Sequence, residues 1–225
     1  MDLVDDEATF EAASSDGSDS SSMLVIACGA IAKELLEVIR LNSFTHLEVE
    51  CLPGKLHNVP RRIPAAVEAK LAANPDRSVF VAYADCGTGG DLDRVLARYG
   101  AERIPGAHCY EFFAGGATFA EMHDGEPATF YLTDFLCRHF DRFVIQGLKL
   151  DRHPELKSQI FANYRRLVYL AQTDDAALVE KGQEAATYLG LEYEVVRTGY
   201  GDLQRTLVDV VTRSRAGSTR TAWAG

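Results

Sequence analysis

Apolar residues along this chain fall into short blocks that alternate between two periodicities. Met23-Leu-Val-Ile-Ala27 is a continuous apolar run, the pattern of a strand buried on both faces. It stops at Cys28-Gly29 and gives way to an amphipathic stretch at 30–41, so strand, tight turn and helix are expected in that order. The unit recurs. Leu47-Glu-Val-Glu50 alternates as a strand does, a Pro/Gly-rich loop occupies 52–61, and a helix is expected at 64–73. Ser78-Val-Phe-Val-Ala-Tyr83 is another buried-strand run, followed by Asp85-Cys-Gly-Thr-Gly-Gly90, a helix at 91–99 and a weak strand at 101–104 that ends on Pro105-Gly106.

The second half is less regular. Residues 109–123 have helical spacing broken at Gly115-Gly116, Thr129-Phe-Tyr-Leu132 reads as a strand, and helices are expected near 133–146 and 154–165. Arg166-Leu-Val-Tyr-Leu-Ala171 and Leu191-Glu-Tyr-Glu-Val-Val196 bracket a helix at 175–189, a βαβ pattern, and a last helix covers 201–212. The alternation predicts an α/β fold: a mostly parallel sheet with helices on both faces, βαβ units at both ends and a helical insertion at 109–165. Residues 23–212 form the expected single domain. In such sheets ligands bind beyond the carboxyl ends of the strands, which directs attention to the residues that follow each strand.

Charge changes this picture little. The 225 residues include 33 acids and 23 bases, a net charge of −10. Seven of those acids (Asp2, Asp5, Asp6, Glu7, Glu11, Asp16, Asp19) lie in residues 1–22, which contain no Lys or Arg. That Ser-rich acidic leader lacks the apolar residues needed to offset ordering, so it is expected to be disordered, and 213–225 is expected to be a flexible tail. The leader has neither the charge nor the apolar run of a secretory signal, and no stretch is long and apolar enough to span a bilayer. A cytoplasmic protein with no membrane or nucleic-acid partner is expected.

Five cysteines without an export signal are expected to be reduced thiols. Cys28 follows the first strand, Cys51 ends the second, Cys86 follows the third and Cys109 follows the fourth. In a parallel sheet all four face the same end. Taken singly, each also reads as a small core residue. As a set, Cys28, Cys86 and Cys109, which lie beside glycines or in Pro-Gly turns, are the candidate ligands of a shared metal, since zinc needs only three or four Cys or His donors. His57 and His108 follow strands two and four and are candidates for a fourth ligand or a proton carrier, and Glu111 is a further candidate acid. Cys137, within a helical stretch, reads as structural. No CxxC or HExxH spacing is present.

Gly87, Thr88 and Gly89, with Gly29 after the first strand, are the candidate cofactor-binding positions, because glycine turns let a backbone approach a ligand. The loop departs from a dinucleotide fingerprint and lacks a Walker lysine. Asp91 and Asp93 at the following helix start suit the helix dipole better than a phosphate. Lys55, Arg61 and Arg62 read as a solvated basic loop, and Thr133-Asp134 and Thr173-Asp174 as helix caps.

Four phrases together carry a resemblance: Ala27-Cys-Gly-Ala-Ile-Ala-Lys-Glu-Leu35, Leu56-His-Asn-Val-Pro60, Tyr83-Ala-Asp-Cys-Gly-Thr-Gly89 and Pro105-Gly-Ala-His-Cys-Tyr-Glu111. The chain resembles a bacterial and archaeal domain-of-unknown-function family often encoded beside corrinoid proteins and corrinoid- or folate-dependent methyltransferases. The resemblance implies a place in one-carbon metabolism. Its motif positions here are Cys28, His57, Cys86, His108 and Cys109. Two functions follow as expectations. One is a zinc-dependent enzyme of methyl transfer or demethylation acting on a small molecule, with corrinoid or folate supplied through a partner protein. The other is an accessory protein without its own catalysis, binding a [4Fe–4S] cluster or a small molecule for a corrinoid methyltransferase system.

Overall fold

A computed structural model describes residues 22–221, with side chains through Ser214. Seven strands form two parallel sheets. The first contains β1 (Met23–Cys28), β2 (Leu47–Leu52), β3 (Val79–Ala82) and β4 (Glu102–Arg103) in the order β2-β1-β3-β4. The second contains β5 (Thr129–Leu132), β6 (Arg166–Ala171) and β7 (Glu192–Arg197) in sequential order. Every strand pair is parallel, and helices connect the strands, so the α/β class follows directly.

The first sheet is covered on both faces, and its sequence shows why. Leu24, Val25, Ile26 and Ala27 in β1 are all fully buried, as a central strand with no polar alternation must be. Alternate residues feed opposite cores. Val25 and Ala27 pack with Leu35 and Val38 of α1 (Ala32–Leu41). Leu24 and Ile26 pack with Val67 and Leu71 of α2 (Ile63–Ala73) and Leu92 and Leu96 of α3 (Asp91–Tyr99). Each buried Val, Leu or Ile side chain contributes about 2 kcal/mol.

Two features differ from the sequence pattern. The expected single sheet is divided in two: β5, the strand expected at 129–132 within the largely helical 109–165, pairs with β6 and not with the first sheet. Local periodicity reports a buried parallel strand equally well in either sheet, so sheet membership is invisible to it. The expected helix at 133–146 is also interrupted. It forms α6 (Asp134–Arg138) and then a π-helical segment at Asp141–Gln146.

The two sheets are joined by α4 (Cys109–Ala114). Its Phe112 and Phe113 enter the first sheet's core, while Tyr110 and Ala114 pack on Tyr131, Val168 and Leu170 of the second, beside α5 (Gly116–Gly125). The chain passes through α7 (Leu156–Ile160) and α8 (Ala176–Leu189), then returns. Leu203, Leu207, Val210 and Val211 of α9 (Gly201–Thr221) pack against the first sheet, not the second. Thus α9 continues past the apolar pattern that ended near 212. Residues 1–21, the bulk of the acidic leader, and 222–225 lie outside the described residues. Among the described residues no helix is long and apolar enough to cross a membrane.

Candidate functional site

The carboxyl ends of β1, β2 and β3 deliver a cluster of thiols. Cys28 is the last residue of β1, and Cys51 lies one register step before the end of β2, paired with Ala27. Backbone crowding fixes this end: a Cβ on Gly29 would stand 2.8 Å from the Leu52 carbonyl oxygen and 3.0 Å from the Gly54 nitrogen, so only glycine lets the two strand-end loops cross.

After β3 the chain enters the Asp85–Gly90 loop, where Cys86 has φ 50°, in the left-handed region. A non-glycine residue there costs about 1 kcal/mol and marks a position held by its surroundings. The Cys86 amide donates to the Ala107 carbonyl at 2.7 Å, tying this loop to the one that carries Cys109. All five cysteines are free thiols.

Cys28, Cys86 and Cys109 keep partial solvent exposure although their sulfurs lie deep in the protein. Burial pushes the Cys28 thiol up, with the Ala30 amide and the Tyr83 hydroxyl acting against it. Burial, then the neighbouring Cys28, pushes both Cys51 and Cys86 up to about 12. Burial, then Cys86 and Cys28, pushes Cys109 well above the usual thiol range. The three candidate ligands are therefore in electrostatic reach of one another and are neutral thiols near pH 7. Two tyrosines close the cluster. Tyr83 is driven up by burial and by Cys28, Cys86 and Cys51, and Tyr110 by burial, Cys109 and Cys86. The Tyr83 hydroxyl is buried with no aligned hydrogen-bond partner, although it is close enough to Cys28 to influence it.

The other candidates sit elsewhere. His57 is held low by burial alone, with no thiol acting on it. His108 packs on the Tyr110 and Phe119 rings at 5.4 and 5.2 Å. Burial lowers its pKa, with Glu111 opposing and His123 assisting, and its Nδ1 is buried without a partner. Glu111 accepts a 2.7 Å hydrogen bond from the Ala107 amide, which uses its carboxylate to hold the loop before α4.

The glycine loop is likewise closed on itself. Asp85 accepts from the Thr88 hydroxyl at 2.7 Å and from the Gly89 and Gly90 amides at 3.1 and 2.9 Å. The donors a phosphate would use are occupied by a carboxylate. Asp93 is ion-paired with Arg103 and Asp91 with Arg94, which gives both helix-start acids surface partners.

Two carboxylates matter that the sequence did not single out for chemistry. Glu34, in the first turn of α1, is only 5% exposed. Burial pushes its pKa up to about 7, with Asp134 adding to the effect and Arg138 and Lys33 opposing it, and its charge in turn acts on Cys28. Asp134, fully buried at the start of α6, accepts from the Tyr169 hydroxyl, the Gln172 amide and the Thr173 hydroxyl. Helix capping falls to their neighbours: Thr133 accepts from the Leu136 amide and Asp175 from the Ala177 amide. Asp174 instead pairs with Arg197 on the surface.

Among the described residues no group of three or more His, Cys, Asp or Glu side chains stands in metal-ligating positions. Cys28, Cys86 and Cys109 are donors of the type a soft divalent ion takes, and they influence one another electrostatically, but they are not gathered at ligating distance. No curated protein and no solved structure matches this chain. A family model does match, over residues 51–207, a segment that includes Cys51, His57, Cys86, His108, Cys109 and Glu111 but begins after Cys28 and Glu34. The chain belongs to the family described as a protein of unknown function, DUF1638.

Proposed function

We propose that this protein is a thiol-centred component of one-carbon metabolism, with Cys28, Cys86 and Cys109 as its reactive centre and zinc as the ion they hold. The observation that carries the reading is the convergence of three mutually interacting thiols from successive strand ends. The pathway rests on the family resemblance to proteins encoded beside corrinoid methyltransferases, and a corrinoid protein or methyltransferase is the proposed partner.

When bound to thiolates, zinc supplies Lewis acidity and lowers the pKa of a substrate thiol, amine or water. The chain's own residues do the rest. Cys28, Cys86 and Cys109 must lose protons and shift inward to ligate, because buried thiols are costly to ionise without a nearby cation. The Tyr83 hydroxyl can donate to the Cys28 sulfur as it ionises. Glu34, poised near pH 7 and acting on Cys28, takes up or returns a proton at the edge of the cluster. His108 is neutral at pH 7, with an open Nδ1, and is the proposed proton acceptor on the substrate side. Gly29 and the turn from Gly87 through Thr88 to Gly89 let the loops carrying the cysteines close together. The reading requires a reducing compartment such as the cytoplasm.

Metal analysis and a visible spectrum of anaerobically purified protein test this, followed by zinc titration with proton-release measurement. About one zinc per chain is expected, with affinity rising with pH as thiol protons are displaced. Cys86→Ser should lower zinc affinity at least 100-fold, as expected for removal of a direct ligand, while leaving the circular dichroism spectrum unchanged. A brown chromophore with iron and sulfide would replace this reading with the cluster-binding accessory one. Colourless protein that takes up no zinc, with five freely titrating thiols, overturns both.

A further inference from the structure

The second sheet's helical face contains a cavity of about 370 Å³ between α6, the π-helical segment and α8. It is separate from the thiol cluster. Arg138, at the end of α6, and Arg142, which stands over the Phe143 ring, are half-buried, whereas Lys181, Asp141 and Glu184 are exposed. Phe140 and Ala185 are buried, and with Ile145 and the Tyr188 ring they give the cavity apolar walls.

A half-buried guanidinium is stable when an anion meets it. Among the described residues, however, no carboxylate stands in ion-pair contact with Arg138 or Lys181. Glu34 acts on Arg138 only at longer range. The wall is also unusual in its backbone, because Asp141–Gln146 is π-helical, a rare form that is frequent at functional sites. A cavity of this size with both apolar and cationic lining is the pattern of a small-molecule site, and the planar Arg fork suits a carboxylate.

We propose that this cavity binds a small organic carboxylate, its apolar body against Phe140, Ile145 and Tyr188 and its carboxylate on Arg138, with the exposed Lys181 assisting. Asp141 and Glu184 offset part of the positive charge of Arg138, Arg142 and Lys181 in the lining.

The test uses the full chain and a matched pair of probes, 2-naphthoate and the neutral naphthalene-2-carboxamide, titrated by fluorescence or calorimetry. Naphthoate should bind at least tenfold more tightly than the carboxamide, and the margin should shrink with added salt. Arg138→Gln should abolish the preference. Lys181→Gln, on an exposed position that cannot disturb the core, should reduce it about threefold. Thermal melts of both variants show that they are folded. Absence of saturable binding, equal binding of the two probes, or a preference that survives both substitutions overturns the proposal. Because zinc uptake is read at the thiols, failure here and failure of the thiol reading are separate results.

Discussion

Both sheets are parallel, and their carboxyl ends treat polar groups in opposite ways. Around β5 and β6 the buried Asp134 carboxylate accepts three hydrogen bonds, and its own amide donates to the Gln172 side chain at 2.8 Å. Around β1 and β3 the thiols, Tyr83 and Glu34 are buried with few partners, and their pKa values rise. A satisfied buried network stabilises and specifies. A buried group without partners costs stability, and such groups cluster where chemistry occurs. The difference suggests that the second edge holds the fold and the first is where the molecule can react.

Removing Asp134 should give the largest effect. Asp134→Ala leaves the buried Tyr169 hydroxyl and Gln172 amide without their acceptor, while the exposed Thr173 hydroxyl can turn to water. A loss of about 3 to 5 kcal/mol is expected, read as a lower urea midpoint with unchanged slope. A loss under about 1 kcal/mol would erase the contrast between the edges.

Glu34 should behave oppositely. Its folded pKa of about 7 exceeds the unfolded value of about 4.3, so the native state binds the extra proton between those values. Its contribution is present in full below about pH 4.3 and is lost as pH rises through 7, reaching roughly 3 to 4 kcal/mol of relative destabilisation above pH 8. Glu34→Gln should flatten that decline and make the variant more stable than the parent at pH 8. Urea melts at pH 5 and pH 8 decide it; parallel pH profiles for parent and variant would show that Glu34 is solvated.

How much of this the sequence contained depends on whether the signal was local. The central strands are visible as apolar runs because burial on both faces writes itself into every residue, as in Leu24 through Ala27, whereas β2 and β7 show only as alternation and β4, Glu102–Arg103, hardly at all. The thiols were found because their positions follow strands. Glu34 was not, because an acid in the first turn of an amphipathic helix has the pattern of a surface residue, and its burial is set by tertiary packing. Asp134 carried a partial signal, Thr133-Asp134 after a strand, but its partners lie 35 to 39 residues away. The division into two sheets and the return of α9 to the first are tertiary choices that no local period encodes.

Asp85 offers a smaller, local test on the reactive edge. Asp85→Ala removes the acceptor of Thr88, Gly89 and Gly90, in a loop open to water. We expect a loss of about 1 to 2 kcal/mol together with faster modification of Cys86 by a thiol reagent, because the turn that holds it is loosened. Unchanged thiol kinetics would mean the loop is fixed mainly by the Cys86 amide on the Ala107 carbonyl.

The smallest expected effect concerns strain, and it compares two cysteines within the cluster. Glycine is ordinarily less stable than alanine by about 0.5 to 1 kcal/mol in a strand, because it loses more freedom on folding. That sign should hold at Cys28, whose φ of −68° suits any residue, so Cys28→Gly should melt below Cys28→Ala. At Cys86, with φ 50°, the alanine variant retains the backbone penalty and the glycine variant does not. Cys86→Gly should therefore exceed Cys86→Ala by about 1 kcal/mol. Since each pair lacks the sulfur equally, packing cancels and backbone conformation is isolated. The same sign at both positions would show that the Asp85–Gly90 turn relaxes in solution, and that Cys86 is not held under tension toward its two neighbouring thiols.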